Sequence, residues 1–227
     1  MSLTAGTVIN HARDMHPALS PANAPAVVGY RALTRFSGDL VQAVTVRQPA
    51  FLAKTATVAL PLAVFDSGQS LATSISAGWL DLLEVFGQRT DGASTTEWPV
   101  RVHLIPWEQR DMLQKFPAVT VRDNTLYLLG NETDWELLAS LKLTYTPRPA
   151  SVLSDTSVLE VPDDALDALA TMLCSLYLWR LVSDPQYRVT GDMASLWDGK
   201  AEKERTKFLN RIWRTGQRQS YRVRDVM

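Results

Sequence analysis

Residues able to do chemistry are scarce in this chain, and their spacing argues against a site. The three histidines are His11, His16 and His103. Asp14 lies between the first two, but an i,i+5 spacing puts His11 and His16 on different helical faces. A zinc site needs about four ligands, and this neighbourhood does not supply them. Cys174, the lone cysteine, sits in a leucine-rich run with no base beside it, so it reads as a small core residue rather than a nucleophile. Asp163, Asp164 and Asp167 look like a carboxylate cluster. They fall in the first turns of a predicted helix, where the helix dipole favours negative charge without any catalytic role. Asn131-Glu132-Thr133 matches a glycosylation sequon, with nothing else to indicate secretion. No Gly-x-Ser-x-Gly elbow, phosphate loop or dinucleotide fingerprint occurs. The expectation is a protein that is not an enzyme and uses no cofactor or metal.

Charge and aromatic residues carry more information. The formal net charge is -1, but residues 200–227 hold nine Lys/Arg against three Asp/Glu. The remaining 199 residues hold 14 basic and 21 acidic residues, a net charge of -7. Arg205, Arg211, Arg214, Arg218, Arg222 and Arg224 stud the last 25 residues, with Trp213 and Tyr221 among them. Such an end suits contact with nucleic-acid backbone or with an acidic protein surface; the plainer alternative is a solvated helix face with a frayed terminus. Trp98 and Trp107, each beside a proline, fall at strand edges or in loops, where tryptophan often anchors an interface.

The elements that position these residues follow from periodicity. Residues 4–15 predict a short helix with Val8, Ile9, Ala12 and Met15 on one face. Residues 26–46 predict a longer one, with Val28, Ala32, Phe36, Leu40 and Val44 at i+4 intervals, Leu33 and Val41 beside them, and Arg31, Arg35, Asp39 and Gln42 facing away. After Pro49 the character changes. Residues 56–65 and 100–105 are β-rich; 66–99 reads as loops and short strands, with a short helix near Leu80–Val85. The run 119–128 predicts a hairpin about Asp123-Asn124, pairing Arg122 with Thr125, Val121 with Leu126 and Val119 with Leu128. Leu141, Leu143 and Tyr145 alternate with polar residues in a half-buried strand. Four to six strands are expected.

The organising stretch is Pro162–Ser183. Pro162 can occupy the first helical position, and Asp184-Pro185 ends the helix. Leucines recur at three- and four-residue spacing, and Ala165, Ala168, Met172 and Trp179 leave only a thin wet stripe of Asp167, Thr171 and Ser175. A helix apolar around most of its circumference needs partners on several sides. Leu169, Met172, Leu176 and Trp179 are therefore the candidate subunit-interface residues. A last helix is expected to start with Asp192 as its cap, to bury Trp197, Ala201, Phe208, Leu209, Ile212 and Trp213, and to break at Gly216. An extended basic arm then follows.

The fold class is α+β: a helical frame of N-terminal helices and two long C-terminal helices, with an inserted antiparallel β-sheet or small sandwich. The divisions are 1–49, 50–150, 151–215 and the arm 216–227. One cysteine fits a reducing compartment, and neither a signal peptide nor an 18-residue apolar span is read. A soluble protein made inside the cell is expected.

The run LKLTYTPRPASVLSDTSVLEVPDDALDALATMLCSLYLW resembles the head–tail adaptor (connector) proteins of tailed bacteriophages. There a strand ending in tyrosine and prolines leads through a loop to Pro-Asp and a long apolar helix. The His16-Pro17-Ala18 loop, the helix bearing Arg31-Ala32-Leu33 and the arginine-rich end look similar too. The resemblance implies a structural virion protein in the neck of the particle, assembled in the host cytoplasm. It would form a homo-oligomeric ring, usually twelve-fold, between portal and tail. The ring would extend a channel through which DNA passes without specific recognition, and no membrane is involved. The portal protein would be bound through the arm, by Arg214, Arg218, Tyr221, Arg222, Val223 and Arg224, and a downstream tail protein would dock on the other side. The alternative from the charge pattern is a nucleic-acid-binding packaging or regulatory accessory protein; another tail or baseplate component is a third reading.

Overall fold

The structure is a computed structural model describing residues 2–60, 68–72, 74–75, 78–88, 99–111, 117–130, 135 and 138–224; at 99 and 215–224 it describes backbone only. The chain divides into two compact units, one of residues 1–52 with 149–227 and one of residues 53–148. The fold is α+β.

The first unit is helical. Among the described residues it holds α1 (Ala5–Asp14), α2 (Ala26–Arg47), α3 (Leu166–Leu181) and α4 (Gly191–Arg224). A helix start leaves backbone N–H groups without partners, and the loop after the insertion supplies them for α1. Ala5 N donates to Ser157 O and Gly6 N to Asp155 O, each at 2.9 Å. The N-terminal part of the frame is thus closed onto its C-terminal part by backbone bonds.

α3 is the centre of this unit and packs against α1, α2 and α4. Ten of its sixteen residues are buried, so its own chain already surrounds most of it. Its start differs from expectation: a 3-10 turn, Asp163–Ala165, follows Pro162, and the α-helix begins at Leu166. The supposed wet stripe is also partly dry. Thr171 and Ser175 are buried, Thr171 Oγ1 donating to Asp167 O at 2.8 Å.

On α2 the buried face is Gly29, Leu33, Ser37, Leu40, Val41 and Val44: Leu33, Leu40, Val41 and Val44 are as expected, while Val28, Ala32 and Phe36 are only half-buried and the face is centred slightly to the Gly29–Leu33–Ser37 side. Gly29 explains this shift. A Cβ there would lie 2.6 Å from Tyr177 Oη and 2.9 Å from Ile9, so the missing side chain lets α1 and α3 approach α2. The fully buried Tyr177 then donates its hydroxyl to Pro25 O at 3.1 Å.

Among the described residues the second unit forms a seven-stranded sheet in the order β1-β7-β3-β4-β5-β6-β2, more strands than expected. The strands are β1 (Lys54–Ala59), β2 (Gln69–Ser70), β3 (Trp79–Gln88), β4 (Pro99–Leu104), β5 (Ala118–Arg122), β6 (Thr125–Leu129) and β7 (Ser140–Pro147). One pairing departs from the antiparallel expectation: β4 and β5 pair in parallel, so the sheet formed by the described residues is mixed. The predicted hairpin has the expected register throughout. Asp123 and Asn124 have φ of 50° and 62°, the paired left-handed conformation of a type I′ turn.

The helix expected near Leu80–Val85 is instead the middle of β3. Register irregularities between Trp79/Asp81 and Leu82/Glu84 insert extra residues, so its buried positions are Leu82, Val85 and Gly87. A bulge turns a period of two into a local spacing of three, which imitates a helix in sequence. Gly87 allows Leu138 to pack on the sheet; a Cβ there would meet Leu138 Cδ1 at 2.6 Å. Val58, Val85, Val102, Val119, Leu126, Leu141 and Leu143 form the core of this unit with their neighbours. Residues 61–65 of the first β-rich run, Trp98 and the sequon at Asn131 lie outside the described residues.

Candidate assembly surfaces

The four candidate interface residues of α3 separate into two kinds. Leu169 is fully buried in the chain's own core and leaves the set. Met172 and Leu176 are half-buried and Trp179 is 43% exposed. At spacings of i, i+4 and i+7 these three fall on one side of the helix. They form a narrow apolar strip that the chain leaves partly open.

The strip ends in a fixed tryptophan. Trp179 Nε1 donates to Asp198 Oδ2 at 2.7 Å, and Ser175 Oγ donates to Asp198 Oδ1. One carboxylate of α4 thereby holds two residues of α3, one buried and one exposed. A partner meeting Trp179 meets a side chain whose polar atom is already satisfied and whose rotamer is restrained, which lowers the entropy cost of binding. Sequence reasoning missed Asp198. Its only sequence signal is a carboxylate in a polar helix, and its role appears only once α3 and α4 are paired.

α4 starts at Gly191, with Thr190 rather than Asp192 as the cap: Thr190 Oγ1 accepts from Met193 N at 3.2 Å. Ala194, Ala201, Phe208, Leu209 and Ile212 are buried as a face. Trp197 is half-buried, and Trp213, placed in the core by sequence, is 50% exposed. The helix does not break at Gly216. Its backbone continues to Arg224, so the expected extended arm is helical over residues 216–224. A lone glycine costs only about 1 kcal/mol in a helix. Arg214 is exposed; Arg218, Tyr221, Arg222, Val223 and Arg224 lie on this helical backbone, and residues 225–227 fall outside the described residues.

The chemistry-bearing residues are dispersed or spoken for. His11 Nε2 lies 3.3 Å from Asp167 Oδ1, a partly exposed pair between α1 and α3. His16 accepts the Ala18 N–H on Nδ1 at 3.1 Å and meets the Trp197 ring edge-on at 6.2 Å. Burial, and then the Lys200 charge, lower its pKa below the ordinary histidine value. Cys174 is fully buried, and desolvation pushes its thiol up to about 12, so it stays protonated and unreactive at neutral pH. Among the described residues no three His, Cys, Asp or Glu side chains gather as a metal site would require, and no helix is long and apolar enough to cross a membrane.

In the sheet unit, Trp107 sits between two guanidinium groups. Arg110 Cζ is 4.3 Å and Arg122 Cζ 5.0 Å from its ring centroid, and Tyr127 packs at 5.0 Å. Asp111 and Asp123 each lie 3.5 Å from one of those arginines, so the group is a neutral, internally paired cluster rather than an anion site. Compared with protein-family models and with curated proteins, the chain matches none.

Proposed function

We propose that this chain is a structural virion protein, a head–tail adaptor of a tailed bacteriophage that assembles as a ring between portal and tail. The observation that carries the reading is the Met172–Leu176–Trp179 strip with its tryptophan pinned by Asp198. Exposed tryptophan in a preorganised apolar setting is typical of the residues that dominate interface energies. A ring needs a heterologous contact, with one face of a subunit meeting a different face of the next. The strip supplies one such face. All-round apolarity of α3 does not add to the argument, because α1, α2 and α4 account for it. The resemblance of the 141–179 region to adaptors, the α+β frame and the basic end of α4 support the same reading.

In this reading the helical end, Arg214 to Arg224, docks on the portal protein, a tail protein docks elsewhere on the ring, and DNA passes through the channel. Negative-stain images of the purified chain, alone and with portal, test it. Closed rings are expected for the wild type, and Leu176→Asp should leave single subunits with an unchanged far-UV spectrum. Rings that survive Leu176→Asp remove the strip from the interface. Truncation after Thr215 should keep rings but abolish portal docking, and undiminished docking contradicts the arm's role.

A further inference from the structure

The cations of α4 are not spread evenly around the helix. Lys200, Lys203, Lys207, Arg211 and Arg214 follow one another at intervals of three or four residues and all are exposed. Positions 218 and 222 continue the same register along the backbone of the helix. Such spacing keeps every member on one side of a 3.6-residue helix, and at 1.5 Å per residue the row from 200 to 222 is about 33 Å long. The face that α4 buries, through Ala194, Ala201, Phe208, Leu209 and Ile212, lies beside this ridge rather than under it.

We infer that the part of this ridge that precedes the portal-docking end, Lys200, Lys203, Lys207 and Arg211, is a sequence-independent track for the phosphate backbone of duplex DNA. Three features favour DNA over a protein partner. Among the described side chains from 200 to 211 the ridge has cations at regular intervals with no apolar residue in the row, and a protein interface normally has an apolar core. Its described members from 200 to 211 are lysines and one arginine, charges that suit contact with phosphate. Its charge is concentrated on one helix while the rest of the chain is net acidic, which orients a polyanion onto the ridge.

The internal partners of the ridge set its strength. Lys207 Nζ lies 3.1 Å from Glu204 Oε2, Arg211 Nη1 3.0 Å from Asp164 Oδ2, and Lys200 Nζ 4.0 Å from the Trp197 ring centroid. A cation that leaves such a partner for a phosphate gives up part of what it gains. The track is therefore weak and quickly exchanging, in the range of non-specific binding, roughly 10⁻⁴ to 10⁻⁶ M. Tight contacts would stall moving DNA; exchangeable ones do not. The inference concerns the ridge alone and stands whether or not the chain forms rings.

Fluorescence anisotropy of the full chain with labelled duplexes of two unrelated sequences tests it. The two duplexes should bind alike, with log K falling against log salt at a slope of about −4, as for roughly four phosphate contacts. The double variant Lys203→Glu/Lys207→Glu should bind at least tenfold more weakly, and Lys142→Glu, at an exposed position of β7, should bind as the wild type does. If the double glutamate variant does not fold, Lys203→Gln/Lys207→Gln serves, with a smaller loss in the same direction. A flat salt response, unchanged binding by the ridge variants, or tighter binding of poly-glutamate than of duplex at equal salt overturns the inference. A protein that stays monomeric with and without portal protein yet binds duplex with this slope sustains the ridge and removes the ring.

Discussion

The two long helices after the insertion follow opposite rules. α3 is apolar almost all round, and the chain buries ten of its sixteen residues itself. α4 is more than twice as long, buries a narrow row and leaves its cations outside. In sequence the apolar helix looks like the element that needs a partner. In the structure most of that need is met by α1, α2 and α4, and the surfaces left over are a three-residue strip on α3 and a charged flank on α4. Apolar content thus marks the centre of the frame, and function has to be sought where a helix is incompletely covered.

That contrast can be broken by truncating equivalent leucines. Leu173 on α3 is fully buried and Leu196 on α4 is 61% exposed. Leu173→Ala should cost about 2–5 kcal/mol, by lost transfer energy and the cavity left behind. Leu196→Ala should change stability by less than about 0.5 kcal/mol. Chemical unfolding of both variants gives the ratio. Equal costs would show that α3 is not the centre of the unit.

The link between the helices should be worth less than the core. Asp198→Ala leaves buried Ser175 Oγ without its acceptor and frees Trp179, at a cost of about 1–2 kcal/mol. It should also reduce assembly in proportion to the lost restraint on the tryptophan. Thermal unfolding and mass photometry read the two effects on one sample, and loss of neither contradicts the role given to Asp198.

The smallest effect is on pH. Burial and Lys200 lower the His16 pKa in the folded chain, so as pH falls the unfolded chain takes up the proton first. Its contribution is complete above the unfolded value near 6.5 and declines as pH drops below it. The ring is only half-buried, so the decline is modest. His16→Asn keeps an acceptor for the Ala18 N–H but cannot titrate. The wild type should lose more melting temperature than this variant between pH 7.5 and 5.5, and equal losses remove His16 as the cause.

How much of this was legible in the residues depends on the range of the interactions. The hairpin was legible in full, because Asp123-Asn124 and the alternation around it fix turn and register within ten residues. α1 and α2 were legible as helices. The shift of the α2 buried face was not, because it depends on Gly29 lying against Ile9 and Tyr177 from two other elements. β3 was misread because bulges gave it a spacing of three. The parallel β4–β5 pairing has no local signature. Of the interface residues, Met172, Leu176 and Trp179 were visible as apolar positions, while burial of Leu169 and the grip of Asp198 on Trp179 are tertiary facts. The charge split was visible from composition, but its alignment as a ridge required the helix to continue through Gly216.

The central claim is that the open strip on α3 joins copies of this chain into a closed ring. Mass photometry of the wild-type protein over a range of concentrations tests it most directly. A discrete high-mass species at a fixed multiple of the subunit mass, lost in Leu176→Asp, is the predicted result. A single-subunit mass at every concentration, in the presence and in the absence of portal protein, would contradict it.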